Sequence, residues 1–236
     1  MSALPPPSAD APSATLSLPD RLRQSWADNA AAWTQAVRDG SIVSRRAGTD
    51  AAIVEAAVRA LPPGGTVLDV GCGEGWLTRA LTALGARVHG IDASAELIEA
   101  ACEEGGSYQV LSYEAAALDS SRLGGPYDLA VFNFALLSND VVGILRAASR
   151  RLAPGGLVVI QTAHPLAAGP PYRDEWRVES FAGFGDGFAP MPWFFRTFGS
   201  WIRTLDAAGL RVAEAVEPPN PETDEPLSLV LTAERI

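Results

Sequence analysis

The chain has 236 residues, a formal net charge of −10 and 47% hydrophobic residues. Its length, roughly one and a half average domains, predicts one α/β domain with additions, and its composition excludes disorder throughout. No apolar run approaches the roughly 18 residues of a membrane-spanning helix. The acidic balance disfavours a nucleic-acid partner.

The first 19 residues are dominated by Pro, Ser and Ala and show no hydrophobic periodicity. We therefore expect a disordered tail over 1–19, without the basic and apolar regions of a secretory signal. The two cysteines, Cys72 and Cys102, are too few for a disulfide framework, and free thiols suit a reducing compartment. Together these features predict a cytoplasmic protein with no bound metal.

Helical and strand patterns follow in regular alternation. A helical cap is expected over 20–49, and the main domain over 50–236. Within the main domain, an apolar helical pattern around Ile53 to Leu61 comes first. The predicted strands are 66–70, 87–91, 108–112, 127–132, 157–162, 211–216 and 227–233. The predicted helices are 76–84, 95–103, 141–152 and 200–208, with Ser94 and Asp140 as N-caps.

Apolar strands that alternate with helices of about ten residues are typical of a parallel sheet covered on both faces. The connection between the last two strands is too short for a crossover helix, so that pair should be antiparallel. The predicted fold is therefore α/β: a doubly wound, Rossmann-like sheet of seven strands, mostly parallel, with an antiparallel C-terminal strand.

A glycine-rich turn follows the first strand of this domain and carries most of the functional information. Residues 67–75 are VLDVGCGEG, and the next strand ends on Asp92. Glycines allow a ligand to approach the main chain closely, and a carboxylate on the second strand can accept hydrogen bonds from ribose hydroxyls. This combination favours a nucleoside ligand over a plain structural turn. A dinucleotide turn would need a small residue where Trp76 stands, which counts against NAD.

The spacing G-x-G-x-G, with an acid two residues before the first glycine, resembles the first motif of the class I S-adenosylmethionine-dependent methyltransferases. The resemblance extends over roughly residues 50–234 and points to the small-molecule, type 11-like branch. It continues through GIDAS at 90–94, YDLAVFNFALL at 127–137 and LAPGGLVVIQTAHP at 152–165. The resemblance implies S-adenosylmethionine as cofactor and methyl transfer to a small, apolar or aromatic molecule.

The resemblance assigns roles at the positions whose residues match the family's motifs. The resemblance implies that Asp69 orients the glycine turn and the methionine amino group, and that Asp92 holds the ribose. The expected cofactor-binding residues are Asp69, Gly71, Cys72, Gly73, Gly75, Asp92, Ala93, Asn133 and Phe134. The residue after the third strand is often an Asp that reads the adenine; Ser112 to Glu114 occupy that neighbourhood here, and the resemblance assigns the role to no single one of them.

Two further positions carry candidate functional groups, an arginine for the cofactor and a histidine for the substrate. An arginine just before the first helix of the main domain could clamp the cofactor carboxylate. Arg45 and Arg46 both qualify, and Arg46 is favoured; a solvated pair is the alternative. His164, at the carboxyl end of the fifth strand, is the candidate catalytic base and a candidate substrate contact.

Nine of the 18 aromatic residues fall between Trp176 and Trp201, within a Gly- and Pro-rich stretch. We expect the insertion 166–199 to form a lid or pocket wall for the substrate. The alternatives are a satellite core or a dimer contact. Besides His164, the expected substrate-binding residues are Trp176, Trp193, Phe195 and Arg196.

The function predicted from the sequence is therefore small-molecule methylation by alignment and exclusion of water, without membrane insertion. A homodimer is compatible with the aromatic stretch. Three rivals remain: an NAD-dependent oxidoreductase, a non-catalytic module that binds the cofactor or its demethylated product, and a methyltransferase acting on protein or RNA.

Overall fold

The structure is a computed structural model that describes residues 16–182 and 184–236. Most of the expected tail, 1–15, lies outside the described residues. The first helix begins at Leu18, two residues before the predicted start, because the Ser17 hydroxyl accepts a hydrogen bond from the Asp20 amide and caps it.

The described chain forms nine strands and seven α-helices. The strands are β1 Thr66–Val70, β2 Arg87–Asp92, β3 Tyr108–Val110, β4 Tyr127–Asn133, β5 Leu152–Ala163, β6 Glu175–Glu179, β7 Met191–Phe195, β8 Leu210–Val216 and β9 Ser228–Arg235. The helices are α1 Leu18–Arg38, α2 Asp50–Ala60, α3 Trp76–Ala83, α4 Ala95–Glu103, α5 Tyr113–Leu118, α6 Val142–Arg150 and α7 Phe198–Ala207. In the described part of the chain, no helix is both long and apolar enough to cross a membrane.

Seven strands form one twisted sheet in the order β3-β2-β1-β4-β5-β9-β8. All neighbouring pairs from β3 to β5 are parallel, whereas β9 runs antiparallel to both β5 and β8. The predicted fold class is confirmed. Because β1, β2 and β4 are parallel neighbours, their carboxyl ends meet at one edge of the sheet, where ligands bind in open α/β folds.

The core has two layers, one on each face of this sheet. Along β4, Leu129 and Val131 join the cluster that includes α2 and α3, while Ala130 and Phe132 join the cluster that includes α6 and α7. Side chains alternate between faces with a period of two, so a strand that is covered on both sides is apolar throughout. The continuous apolar runs of the sequence have this origin.

Three local expectations were wrong. α5 was not predicted, although the Ser112 hydroxyl caps it by accepting from the Ala115 amide. Asp140 does not cap α6; Val141 occupies the cap position and no side chain bonds there. β5 begins at Leu152 and not at residue 157. A bulge between the partners of Tyr127 and Leu129 lets the strand continue through Gly155 and Gly156, which were expected to form the turn before it.

The insertion between β5 and α7 contains a regular hairpin that the sequence did not predict. β6 and β7 form a separate antiparallel two-stranded sheet, and the Phe194 amide donates to the Leu137 carbonyl on the main domain. α1 packs against the same hairpin. The buried Asn29 side chain donates to the Ala189 carbonyl and accepts from the Ala189 amide, at 3.0 and 2.7 Å. α1 and the hairpin are therefore tied into one cover.

Asn29→Ala removes both hydrogen bonds of this tie. We expect it to lower the free energy of unfolding by about 1–3 kcal/mol, since each bond contributes about 0.5–1.5 kcal/mol. Urea denaturation measures the change. Gln24→Ala, on the exposed side of the same helix, is the control and should cost less than about 0.5 kcal/mol. Equal effects of the two substitutions would show that the tie contributes nothing.

Candidate active site

The glycine turn after β1 is held against the end of β2, and its first glycine leaves no room for a side chain. The amides of Gly71 and Cys72 both donate to the Ile91 carbonyl, at 2.8 and 3.0 Å. Gly71 has φ +74°, and a Cβ added there would lie 2.6 Å from the Ala135 Cβ and 2.7 Å from the Tyr113 hydroxyl. Only glycine fits this position, which explains the first glycine of the motif.

Two carboxylates are buried beside this turn. Asp69 accepts a hydrogen bond from the Thr78 hydroxyl at 2.8 Å, and Asp92 accepts from the amides of Gly73 and Ser94 at 3.0 and 2.9 Å. Burial raises the pKa of Asp69 to about 7, against the lowering effect of the Thr78 bond and with a contribution from the charge of Asp92. Burial also raises the pKa of Asp92. A positively charged ligand would relieve this electrostatic cost.

A cavity of about 280 Å³ opens at this edge of the sheet and has two differently composed halves. One half is formed by the glycine turn with Asp69 and Asp92. The other half is apolar and comes from α1 and the hairpin segment. Its aromatic and sulfur-containing residues are Trp26, Trp33, Phe181, Phe184, Met191 and Trp193. One ligand-sized space therefore joins a polar, negatively charged floor to an aromatic wall.

Three buried polar atoms among the cavity-lining residues lack a hydrogen-bond partner in the described structure: Arg45 Nη1, Thr49 Oγ1 and Asn133 Oδ1. The Arg45 guanidinium stacks 4.3 Å from the Trp76 ring centroid, and its Nε donates to Asp50 at 2.8 Å. These contacts fix the arginine while leaving one donor unused. Asn133 offers an acceptor and Arg45 a donor, which are the groups a zwitterionic ligand would need.

Comparisons with known proteins agree with this geometry. A family profile described as "Methyltransferase domain" matches residues 43–215, well over half of the chain. The chain belongs to the class I S-adenosylmethionine-dependent methyltransferases. It is 37% identical over 120 residues to a ubiquinone biosynthesis O-methyltransferase of Xanthomonas campestris, covering 48% of each protein. The chain thus spans about half the length of the curated relatives it matches.

Solved methyltransferase structures share the fold over most of the chain. An S-adenosylmethionine-dependent methyltransferase from Mesorhizobium loti superposes with a TM-score of 0.58 and 25% identity, over 80% of this chain and all of that one. A 1,6-didemethyltoxoflavin-N1-methyltransferase from Burkholderia thailandensis superposes with a TM-score of 0.63 and 20% identity, over 96% and 93%. The latter likeness concerns the fold alone.

Most residues that the methyltransferase motifs single out meet at the cavity. Those lining it are Asp69, Gly71, Cys72, Gly73, Asp92, Ala93, Asn133 and Phe134. Gly75 lies just outside the lining and has another role: a Cβ there would collide with the Tyr108 ring. Arg46 does not line the cavity, because its guanidinium donates to the Gly40 carbonyl. Arg45 takes the position expected of Arg46.

His164 lies outside this cavity, and both of its ring nitrogens are engaged. Nε2 is 2.7 Å from a carboxylate oxygen of Glu217, and Nδ1 accepts from the Leu166 amide at 3.3 Å. An imidazole that accepts at Nδ1 carries its proton at Nε2, where it donates to Glu217. Nε2 is thus taken up by Glu217, and His164 lines a smaller neighbouring cavity together with Glu179 and Trp193. Its role as a base or a substrate contact stays a prediction.

Among the expected substrate residues of the hairpin, only Trp193 lines the cavity. Trp176 pairs with Phe194 on the opposite face of the hairpin and does not line the cavity, although it packs against the buried cluster of Leu22, Phe181 and Met191 behind the wall. Phe195 is buried beneath the Arg177 guanidinium, which lies 3.8 Å from its ring centroid. Arg196 is buried and donates to the carbonyls of Leu136 and Ser138, so it is a structural group here.

Sequence reasoning missed the contribution of α1 to the cavity wall. Trp26 and Trp33 lie seven residues apart on one helical face, and their rings meet edge to face at 5.3 Å. The Phe184 ring stacks on Trp33 at 6.2 Å. The sequence shows the spacing of the two tryptophans. It does not show that α1 packs against the hairpin, because the hairpin itself was not predicted.

Asp69→Asn tests the electrostatic cost of the site in the absence of ligand. Because the folded-state pKa of Asp69 is about 7 against an ordinary 3.8, the native state binds the extra proton, and wild-type stability falls as pH rises between these values. The variant keeps an acceptor for Thr78 and loses the charge. We expect it to be more stable than wild type at pH 8, with the difference shrinking towards pH 4, by urea denaturation.

Asp128→Asn is the control of opposite sign. Hydrogen bonds from Thr66 lower the pKa of Asp128, so its charge stabilises the native state above its ordinary pKa. Asp128→Asn should therefore be less stable than wild type at pH 8, and the loss should shrink in acid. An Asp69→Asn protein that is also less stable at pH 8 would contradict the strained-carboxylate account.

Proposed function

We propose that the protein transfers a methyl group from S-adenosylmethionine to a small, apolar or aromatic molecule. One observation carries the proposal: the buried carboxylates of the glycine turn and the aromatic wall of α1 and the hairpin open into the same cavity. The first half suits a cationic nucleoside and the second suits an apolar second ligand. Methyl transfer requires both ligands in one space.

The residues present fit S-adenosylmethionine group by group. Asp92 ends β2 where a carboxylate can accept from both ribose hydroxyls. Asp69 offers negative charge to the methionine ammonium, and the unused Arg45 Nη1 can pair with the methionine carboxylate. The absence of a side chain at Gly73 leaves the main chain open to the ligand, since a Cβ there would meet only the Trp33 indole nitrogen, at 3.7 Å.

When bound, S-adenosylmethionine supplies a methyl group that its sulfonium already activates. The chain therefore has to orient an acceptor atom towards that methyl and exclude water from the space between them. The lining supplies apolar surface for exclusion and fixed backbone for orientation. The proposal assigns no general base, in keeping with the engaged nitrogens of His164.

We also propose that the cap and the segment 166–199 act as a cover that opens for ligand exchange. The cavity wall is shared between α1 and residues 179–193, and the two are linked by the Asn29–Ala189 hydrogen bonds. Two ligands must enter and leave a site that has to be dry during transfer, so the cover has to move. The Xanthomonas relative is named as an O-methyltransferase of ubiquinone biosynthesis, which supports the proposal that the methyl acceptor is a small molecule.

The rival functions make different demands on the site. An NAD-dependent oxidoreductase would need a small residue where Trp76 begins α3, but this ring lines the cavity beneath Arg45. A non-catalytic module would bind the cofactor without accepting a second ligand. The aromatic half of the cavity would have no purpose in such a module.

Calorimetric titration of S-adenosylmethionine into wild type and Asp92→Ala tests the cofactor assignment. Loss of hydrogen bonds to a charged group should weaken binding by about 1.5–3 kcal/mol, roughly 10- to 150-fold. Asp128→Asn, at the opposite end of the sheet, should bind as wild type does. Undiminished binding by Asp92→Ala would overturn the ribose assignment, and tighter binding of NAD would favour the oxidoreductase.

A labelled-methyl screen over small phenols, quinones, acids and amines then tests for turnover. Transfer to at least one acceptor, lost together with cofactor binding in Asp92→Ala, is the expected result. Cofactor binding with no transfer to any member of the screen would favour the non-catalytic module.

A further inference from the structure

Glu179 is a charged residue that the cofactor does not account for. It is the last residue of β6 and pairs with Met191 across the hairpin. Cross-strand partners lie on the same face, and this face also carries Trp193, two residues along β7. Glu179, Met191 and Trp193 all line the cavity. Glu179 therefore belongs to the aromatic half of this cavity, and it also borders the smaller cavity beside His164 and Trp193.

The other charged side chains of the cavity wall already have partners or belong to the cofactor half. Arg23 pairs with Glu114 at 2.8 Å, and Arg45 pairs with Asp50 at 2.8 Å. The remaining two are the carboxylates beside the glycine turn. Glu179 is thus the charged group of the aromatic wall that is left for a second ligand.

No basic side chain in the described ranges, 16–182 and 184–236, lies within 4.0 Å of the Glu179 carboxylate. The sequence contains no lysine, and residues 1–15 contain neither arginine nor histidine. Arg177, two residues away on the same face, instead pairs with Glu175 at 3.5 Å and donates to backbone carbonyls of the insertion. The negative charge of Glu179 is not neutralised by a neighbour.

One oxygen of this carboxylate is held in place by the backbone. Glu179 Oε1 accepts from the Phe181 amide at 2.8 Å. Phe181 has φ +56°, a left-handed conformation that is unfavourable for a bulky residue and is found where the surroundings impose it. Within the described structure no protein group donates to the second oxygen, Oε2. The bond to Phe181 thus orients the carboxylate and leaves an acceptor for a ligand.

We propose that Glu179 recognises the methyl acceptor, and that the acceptor is a planar ring carrying a basic nitrogen. The faces of Trp26, Trp33 and Trp193 attract both flat rings and cations. A carboxylate in the same wall pairs with a protonated nitrogen and repels an anionic group. The net charge of −10 draws cationic ligands in the same direction. This inference deepens the proposed function and rests on it, because it takes the second ligand to be the acceptor.

The test compares matched amines and acids on the same ring, titrated calorimetrically with S-adenosylhomocysteine at saturation. The pairs are tryptamine against indole-propionate, naphthylethylamine against naphthylpropionate, and phenylethylamine against phenylpropionate. For wild type we expect at least one amine to bind about tenfold or more tighter than its matched acid, the scale of a charge-assisted hydrogen bond.

Glu179→Gln separates recognition from structure, because the glutamine carbonyl can still accept from the Phe181 amide. We expect this variant to keep the wild-type melting temperature and S-adenosylhomocysteine affinity, and to lose most of the preference for amines. Glu222→Gln, an exposed residue of the β8–β9 connection, makes the same charge change away from the cavity and should keep the preference.

The outcomes are distinguishable. If no amine binds more tightly than its matched acid, or if Glu179→Gln keeps the preference, the inference is overturned while the proposed function stands. If S-adenosylhomocysteine itself does not bind, the proposed function fails first. An amine preference that Glu179→Gln abolishes and Glu222→Gln retains supports the assignment.

Discussion

Two carboxylates are buried beside the glycine turn, one on β1 and one at the end of β2, and the rest of the site is arranged around their charge. Asp69 and Asp92 have their pKa values raised by burial, with Asp69 at about 7. Amide and hydroxyl donors from Gly73, Ser94 and Thr78 offset only part of that cost. Buried charge that is incompletely compensated is stabilised when an opposite charge arrives. A cationic nucleoside bound at this site would relieve that electrostatic cost.

The cover formed by α1 and the hairpin excludes water from the ligand edge of the sheet. A parallel sheet presents its ligand edge open to water, and a methyl group can be transferred efficiently only where water is excluded. α1 and the hairpin β6–β7 meet over this edge, joined by Asn29 and faced with aromatic rings. The polar floor therefore comes from the parallel half of the sheet, and the apolar wall comes from segments outside it. Glu179 is the one charged group of that wall without an oppositely charged partner in the described chain.

The sheet was predictable because its strands are buried on both faces. β1 begins and ends at the predicted residues, and the N-cap of α4 is Ser94 as expected. Such elements depend on local apolar runs and capping, which a sequence displays directly. The hairpin could not be predicted from the sequence, because its strands mix exposed and buried residues within a Gly- and Pro-rich stretch. Without its register, Trp176 and Trp193 could not be assigned to opposite faces.

Other parts of the site depend on contacts distant in the sequence. Arg45 and not Arg46 lines the cavity because a π-helical segment, Arg45–Thr49, sets the direction of their side chains. His164 is held by Glu217, 53 residues away. Pattern reasoning placed the histidine at the correct edge of the sheet, but its partner could be found only in the folded chain.

Proton release on cofactor binding tests the central claim most directly. S-adenosylmethionine is titrated at pH 6 in buffers of different ionisation enthalpy, and the dependence of the heat on the buffer gives the number of protons released. With a pKa of about 7 in the ligand-free protein, Asp69 is roughly nine-tenths protonated at pH 6, so binding of the cation should release about 0.9 proton. Asp69→Asn should abolish most of this release. Tight binding by wild type with no proton release would contradict the account.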